Sequence, residues 1–284
     1  MYIDSVFNFT GSKFKILDQI IPLFDKDKEI FVDLFAGGGS VYINVLDYYD
    51  TILVNDIIKE LVQIQEGLIS NDDIIHKVKE LVVSKDDKEG FLKLRKSFNE
   101  EKTPEKLWAL MLCSTNNMMR FNKKFEYNQT FGKRTFNGST ENKINNFISK
   151  VRPHNDKIYF SYNSFKSLPI LSNTMYYIDP PYGYIKNEDD SIGNKQISEA
   201  GYNAYYSKED DLYLYEYIKD IDRVNSSFMI SGLLEHNGKE SWLLNKLIQD
   251  GFVWKEIDLD YYKVSKKKEI DKKSKEIIIM NYGY

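Results

Sequence analysis

The 284 residues are enough to bury a full core, as one large domain or as one domain carrying an insertion. A single cysteine, Cys113, excludes an internal disulfide and a cysteine-based zinc site, and no apolar run reaches the length a membrane span needs. The net charge of −4 argues against nucleic acid on a global count, so a phosphate-bearing partner would have to meet a local patch. Basic residues do gather at 120–134 and 263–275, and acidic ones at 71–90, 187–190 and 209–211. Aromatics make up 14% of the chain, with 21 tyrosines, more than a core requires; some should line surfaces that contact flat ligands. No charged-then-apolar leader opens the chain, and with one cysteine a reducing, intracellular setting is expected.

In chain order, Ser12 can cap a helix with Ile16, Leu17 and Ile20 on one face, which Pro22 should end or bend. Glu29–Phe35 reads as a strand running into Gly37-Gly38-Gly39. A short helix with Val41, Val45 and Leu46 follows, then a second strand over Thr51–Ile57. Strand, glycine turn, helix, strand predicts parallel strands joined by a right-handed crossover. From about 60 the pattern turns helical, over Leu61–Leu68, Ile74–Val83, Phe91–Phe98 and Pro104–Leu112, before a polar, aromatic and basic loop region at 114–146. The strand pattern resumes at Lys157–Tyr162, Thr174–Asp179, Ser227–Ser231, Phe252–Asp258 and Glu276–Tyr282. The last two suggest an antiparallel pair joined by a lysine-rich loop. The fold class is therefore α/β, with residues 63–156 as a mostly helical insertion between 1–62 and 157–284. Gly183–Gly201 is a long polar stretch, a lid or a disordered loop.

Three motifs carry chemistry. In Phe31-Val32-Asp33-Leu34-Phe35-Ala36-Gly37-Gly38-Gly39, a strand meets a turn whose glycines let backbone approach a ligand, though any α/β turn could hold three glycines. Tyr42 breaks the G-x-G-x-x-G spacing, so a pyrophosphate is not the obvious guest. Asp33 beside the turn favours a cation, and Asp56 after the next strand can accept from a ribose diol. A nucleoside with positive charge suits S-adenosyl-L-methionine. In Phe9-Thr10-Gly11-Ser12-Lys13, a lysine at a helix start opposes the macrodipole and invites an anionic group or a carbonyl; the alternative is an ordinary capped helix with a solvated lysine.

Asp179-Pro180-Pro181-Tyr182 is sharper. It follows the apolar run Met175-Tyr176-Tyr177-Ile178, which places a carboxylate, a stiffened carbonyl and an aromatic face at the carboxyl end of a buried strand. An exocyclic adenine amine is a poor nucleophile because its lone pair is delocalised into the ring. Asp179 can accept one amine hydrogen and the Pro180 carbonyl the other, while Tyr182 stacks on an extruded base.

On these residues the chain resembles the DNA adenine-N6 methyltransferases of the Dam family, over essentially its whole length. The resemblance implies a Rossmann-like S-adenosyl-L-methionine methyltransferase sheet, mostly parallel with an antiparallel last strand, interrupted by a helical target-recognition domain. It implies cofactor contacts from Phe9, Lys13, Asp56 and Asp179, to which the motifs themselves add Gly11, Asp33, Phe35, Gly37 and Gly39. Ser12 stands where the family has a second glycine, and Phe9 where it often has Tyr or Trp. Asn116-Asn117-Met118-Met119-Arg120-Phe121-Asn122 and Phe131-Gly132-Lys133-Arg134 are similar to bacteriophage Dam enzymes, which read GATC through this stretch. Carried over, Met118, Arg120, Asn122, Thr130 and Arg134 face bases or the gap left by the flipped adenine, and Lys123, Lys124 and Lys133 meet phosphates.

The implied partner is duplex DNA, in a bacterial cell or phage-infected host, with no membrane and no obligate protein partner. His76, His154 and His236 have no metal-ligand spacing, and Cys113 is expected in the core. Two other readings stand beside this one: a methylase-like protein that binds DNA without turnover, and a methylase of another acceptor such as RNA or a protein amide.

Overall fold

The computed structural model describes residues 2–8, 11–197, 206–258 and 274–283. The first expected helix is instead three short pieces: a 3-10 turn Lys13–Ile16, α1 (Leu17–Ile20) and a 3-10 turn Ile21–Leu23. Pro22, which lacks an N–H, lies at the start of the last piece and prevents continuous i→i−4 bonding. After β1 (Ile30–Asp33), the expected helix around Val41–Leu46 is only a 3-10 turn at Tyr42–Asn44, although Val41, Val45 and Leu46 are all buried. Then come β2 (Thr51–Asn55), α2 (Lys59–Ser70), α3 (Asp73–Leu81), α4 (Lys88–Glu100) and α5 (Pro104–Cys113).

Helix α5 starts where Thr103 caps Lys106 N–H and Pro104 occupies the first turn, a strong start signal. Leu107–Cys113 are all buried, because α2, α3 and α4 pack around this helix. Cys113 sits in that core as expected. The region read as loop to 146 contains α6 (Gly138–Val151), whose N-cap Asn137 accepts from the N–H groups of Ser139 and Thr140. Its buried residues Ile144, Phe147 and Val151 recur at helical spacing within an otherwise polar sequence.

The remaining elements are β3 (Ile158–Ser161), β4 (Thr174–Ile178), a hairpin of β5 (Tyr184–Lys186) and β6 (Ile192–Gln196), α7 (Lys208–Arg223), β7 (Ser227–His236), β8 (Lys239–Glu240), α8 (Trp242–Gln249), β9 (Val253–Glu256) and β10 (Ser274–Met280). The main sheet runs β3-β2-β1-β4-β7-β10-β9, with β8 paired to β7. β2 pairs with β3 and β4 with β7 in parallel, whereas β10 runs antiparallel to both β7 and β9. The fold is thus the expected α/β class, a mostly parallel sheet with an antiparallel end. The lysine-rich connection before β10 lies outside the described residues, as do residues 198–201 of the proposed lid. Among the described residues no helix is long and apolar enough to cross a membrane.

Contacts divide the chain into two compact units, one of residues 1–15 and 32–167, the other of 16–31 and 168–284.

Candidate active site

In the first unit, the glycine turn is tied to the end of β2. Ala36 N–H donates to the Asn55 carbonyl at 2.8 Å, and Gly37 N–H donates to Asp56 Oδ2 at 2.9 Å. The other carboxylate oxygen of Asp56 accepts from Ile58 N–H at 2.9 Å. Each oxygen therefore holds one backbone donor and keeps lone-pair capacity for another. The side chain is half-buried, and burial raises its pKa against the lowering effect of the Ile58 and Gly37 bonds. A fixed acceptor pair at the end of a strand, able to take two further hydroxyls, fits the ribose of S-adenosyl-L-methionine.

Gly37 and Gly39 adopt φ of 51° and 80°. A Cβ on Gly39 would meet Gln65 Oε1 at 2.3 Å and the Tyr42 ring at 2.4 Å, so this glycine is required by protein packing around the turn. Gln65, which the sequence reading missed, donates from Nε2 to the Gly37 carbonyl at 3.1 Å and braces the loop from α2. Asp33 is buried, and its Oδ2 accepts Tyr42 N–H at 3.3 Å. Phe35 packs against Phe165 with ring centroids 5.1 Å apart. Lys13 is buried rather than solvated, and its ammonium donates to the carbonyl of Gly11, which itself has φ of 83°. Phe9 lies outside the described residues.

The basic segment of the same unit is an irregular hairpin rather than a loose loop. Ser114 bridges Phe131 and Phe121 bridges Tyr127, both antiparallel. Tyr127 anchors the arm: its hydroxyl bonds Ser114 Oγ at 2.7 Å and donates to the Met118 carbonyl at 3.1 Å, while its ring packs edge-on to Phe98 and Phe121. Gly132 passes so close to Ser114 that a Cβ would lie 2.2 Å from its carbonyl.

Asn122 closes the tip, its Oδ1 accepting from the N–H groups of Lys124 and Glu126 while its Nδ2 donates to the Glu126 carboxylate at 2.8 Å. Lys123, Lys124 and Phe125 are exposed around it. Arg120 is aligned by two bonds to Asn128, from Nε at 2.9 Å and from Nη2 at 3.0 Å. Arg134 Nη1 donates to Asn117 Oδ1 at 3.0 Å, and Thr130 and Thr115 hydroxyls meet at 2.9 Å. Met118 is half-buried; Lys133 is exposed with φ of 52°. Among the described residues, none of Arg120, Lys123, Lys124, Lys133 and Arg134 is in an ion pair. Asn128, the buttress of Arg120, carried no signal in the sequence because its role depends on pairing across the arm.

In the second unit, β4 is buried along its whole length and delivers Asp179, Pro180, Pro181 and Tyr182, all half-buried, at its carboxyl end. The parallel register sets Ile178 opposite Ile230, one residue before Ser231. Ser231 Oγ donates to Asp179 Oδ1 at 3.0 Å and in turn accepts from the Tyr177 hydroxyl at 2.9 Å. This relay fixes the carboxylate's orientation from behind. Ser231 carries no signal in the sequence, since only strand pairing brings it to the motif.

A model of the D12 class N6 adenine-specific DNA methyltransferase family matches residues 9–259 of the chain. Modification methylase StsI of Streptococcus sanguinis is 30% identical over 292 residues, covering 99% of this chain and 43% of StsI. Type II methyltransferase M.FokI of Planomicrobium okeanokoites is 31% identical over 252 residues, covering 86% of this chain and 38% of that protein. The DNA adenine methylase of Haemophilus influenzae is 23% identical over 193 residues, covering 65% of this chain and 66% of its own. The chain thus spans less than half the length of StsI and M.FokI.

Proposed function

Because the chain belongs to the D12 class N6 adenine-specific DNA methyltransferase family, we propose that it methylates adenine N6 in duplex DNA, on a flipped base within GATC, with S-adenosyl-L-methionine as donor. The observation that carries this reading is the Asp179 carboxylate, oriented by Ser231 at the end of a buried strand and followed by two prolines and Tyr182. The cofactor, when bound, supplies a methyl group already activated on a sulfonium. Asp179 and the Pro180 carbonyl each accept one hydrogen of the adenine amine, which draws its nitrogen toward sp³ geometry and frees its lone pair. Tyr182 stacks on the base, and the prolines hold the acceptors in place before substrate arrives. Asp56 takes the ribose diol, while the Gly37–Gly39 turn, Lys13, Asp33 and Phe35 complete the cofactor's surroundings.

In this reading residues 63–156 are the target-recognition insertion. Arg120, Asn122, Thr130, Arg134 and Met118 read or wedge the bases, and Lys123, Lys124 and Lys133 neutralise phosphates. The hairpin supports it: Phe121 and Tyr127 are packed inward, and its cations are exposed, with no carboxylate partner among the described residues. The test is to expose plasmid DNA to the purified protein and cofactor and sequence the modified bases. N6-methyladenine confined to GATC is the expected result; a different motif removes the GATC assignment alone, and no modified adenine removes the activity.

Two further outcomes follow. Asp56→Ala should weaken cofactor binding about 10- to 100-fold by calorimetry, the loss of charge-assisted bonds worth about 1.5–3 kcal/mol. Because burial raises the Asp56 pKa, the carboxylate protonates at a higher pH than an ordinary aspartate on acidification. Cofactor affinity should therefore fall as pH drops through that raised value and plateau above it, a dependence that Asp56→Asn abolishes. Ser231→Ala removes the hydrogen bond to Asp179 Oδ1 and should lower kcat about 10-fold with little change in cofactor affinity. An unchanged kcat in single-turnover assays would remove Ser231 from the orienting relay.

A further inference from the structure

Behind the Asp-Pro-Pro-Tyr turn sits a buried carboxylate that the scheme above does not use. Asp211 has no solvent exposure, yet it lies in the first turns of α7 with its oxygens toward the chain leaving Tyr182. Oδ2 accepts Tyr184 N–H at 2.5 Å, and Oδ1 accepts the Tyr206 hydroxyl at 2.9 Å. A Cβ on Gly183 would fall 2.6 Å from both oxygens, so only glycine lets the carboxylate reach the backbone here. Pro180, Pro181, Tyr182, Gly183 and Asp211 line one small cavity of about 20 Å³. The helix start that carries Asp211 is itself locked by a capping box, Ser207 Oγ accepting Asp210 N–H at 3.3 Å and Asp210 Oδ2 accepting Ser207 N–H at 2.6 Å. The carbonyl of Gly183 accepts from Ile197 N–H at 2.9 Å, which pins the same turn to the β5–β6 hairpin.

We propose that Asp211 is a positioning residue for methyl transfer: by holding the Gly183–Tyr184 backbone against α7 it sets where Tyr182 and the Pro180 carbonyl present themselves to the base. This rests on the methyltransferase reading and adds a residue to it. The contact is one of hydrogen bonds rather than of charge. Burial raises the Asp211 pKa to about 7, against the bonds from Tyr184 and Tyr206 and with a smaller push from Asp210, so the neutral acid is accessible near neutral pH. A neutral carboxyl still accepts from Tyr184 N–H while donating to the Tyr206 oxygen, and an asparagine can do the same.

The experiment compares Asp211→Ala with Asp211→Asn in single-turnover and steady-state methylation of DNA, together with hydrogen exchange at the Tyr184 amide. Asp211→Ala should lower kcat about 10- to 100-fold, the cost of a misplacement near 1 Å, with KM for the cofactor within about threefold and faster exchange at Tyr184. Asp211→Asn should return kcat to within about threefold of the parent and restore protection. A parental kcat in Asp211→Ala, a loss that appears in KM instead, or no rescue by asparagine each overturns the proposal. If Asp211→Ala fails to fold, Gly183→Ala tests the same contact from the other side, with the same kcat loss expected and a parental kcat overturning it. A parent protein that methylates no adenine sinks the functional reading, whereas an active parent with indifferent variants sinks this inference alone.

Discussion

Asp179→Ala should lower methyl transfer to DNA by about 10³-fold or more while leaving DNA affinity within about threefold. In the proposed scheme the carboxylate is one of two acceptors that localise the amine's lone pair, and positioning of this kind is worth about 7–11 kcal/mol at its best. The structure says why the loss should be local. β4 is buried from Thr174 to Ile178 and registered against β7, so the strand holds without the carboxylate at its exit. Ser231, which orients Asp179, loses its acceptor, whereas the Tyr177 hydroxyl keeps its bond to Ser231 Oγ. Asp179→Asn is the more stringent variant: it keeps the volume but turns an NH₂ toward Ser231 or toward the amine. Single-turnover transfer of labelled methyl reads both variants. Persistence of transfer in Asp179→Ala would remove the carboxylate from the chemistry.

Arg134→Ala should relax the choice at one base pair, whereas Lys123→Ala should weaken all duplexes alike. A guanidinium bonded to a guanine edge discriminates by about 1–3 kcal/mol, roughly 10- to 100-fold. In the proposed reading a tip lysine neutralises a phosphate and carries no sequence information, so its removal should reduce the salt slope by about 1 without altering preference. Arg134 is suited to the reading role because Asn117 holds it through a single nitrogen, leaving the rest of the fork for a ligand. Arg120 differs: its Nε and Nη2 are both spent on Asn128, so fewer of its donors remain. Binding titrations on GATC and on single-substitution duplexes at two salt concentrations separate the cases. Equal losses on cognate and scrambled DNA in Arg134→Ala would take it out of base recognition.

What could be read from the linear chain was set by local rules. The strand Met175–Ile178 was legible from an unbroken apolar run, and helices α2 to α5 from apolar residues at helical spacing, although only α4 and α5 carry side-chain caps. Helix α6 reads as loop because its polar, asparagine-rich sequence hides three buried apolar residues, and only packing in the first unit makes it a helix. Helix α7 was overlooked although Ser207 and Asp210 form a capping box and Leu214, Tyr217, Ile218 and Ile221 are buried. Conversely, Ser12 announced a helix that Pro22 breaks into single turns.

The candidate site divides along the same line. Residue types whose chemistry is intrinsic, such as the carboxylate and prolines of 179–181 and the acid after β2, declare themselves in sequence, because a strand end fixes their place with no further information. The groups that orient them do not. Ser231 reaches Asp179 through a parallel register, Asp211 reaches Gly183 from a helix 28 residues on, and Asn128 reaches Arg120 across a hairpin. An orienting hydrogen bond has no preferred residue type and no fixed spacing; it needs only a donor and an acceptor about 3 Å apart, and that distance exists only once the chain has folded.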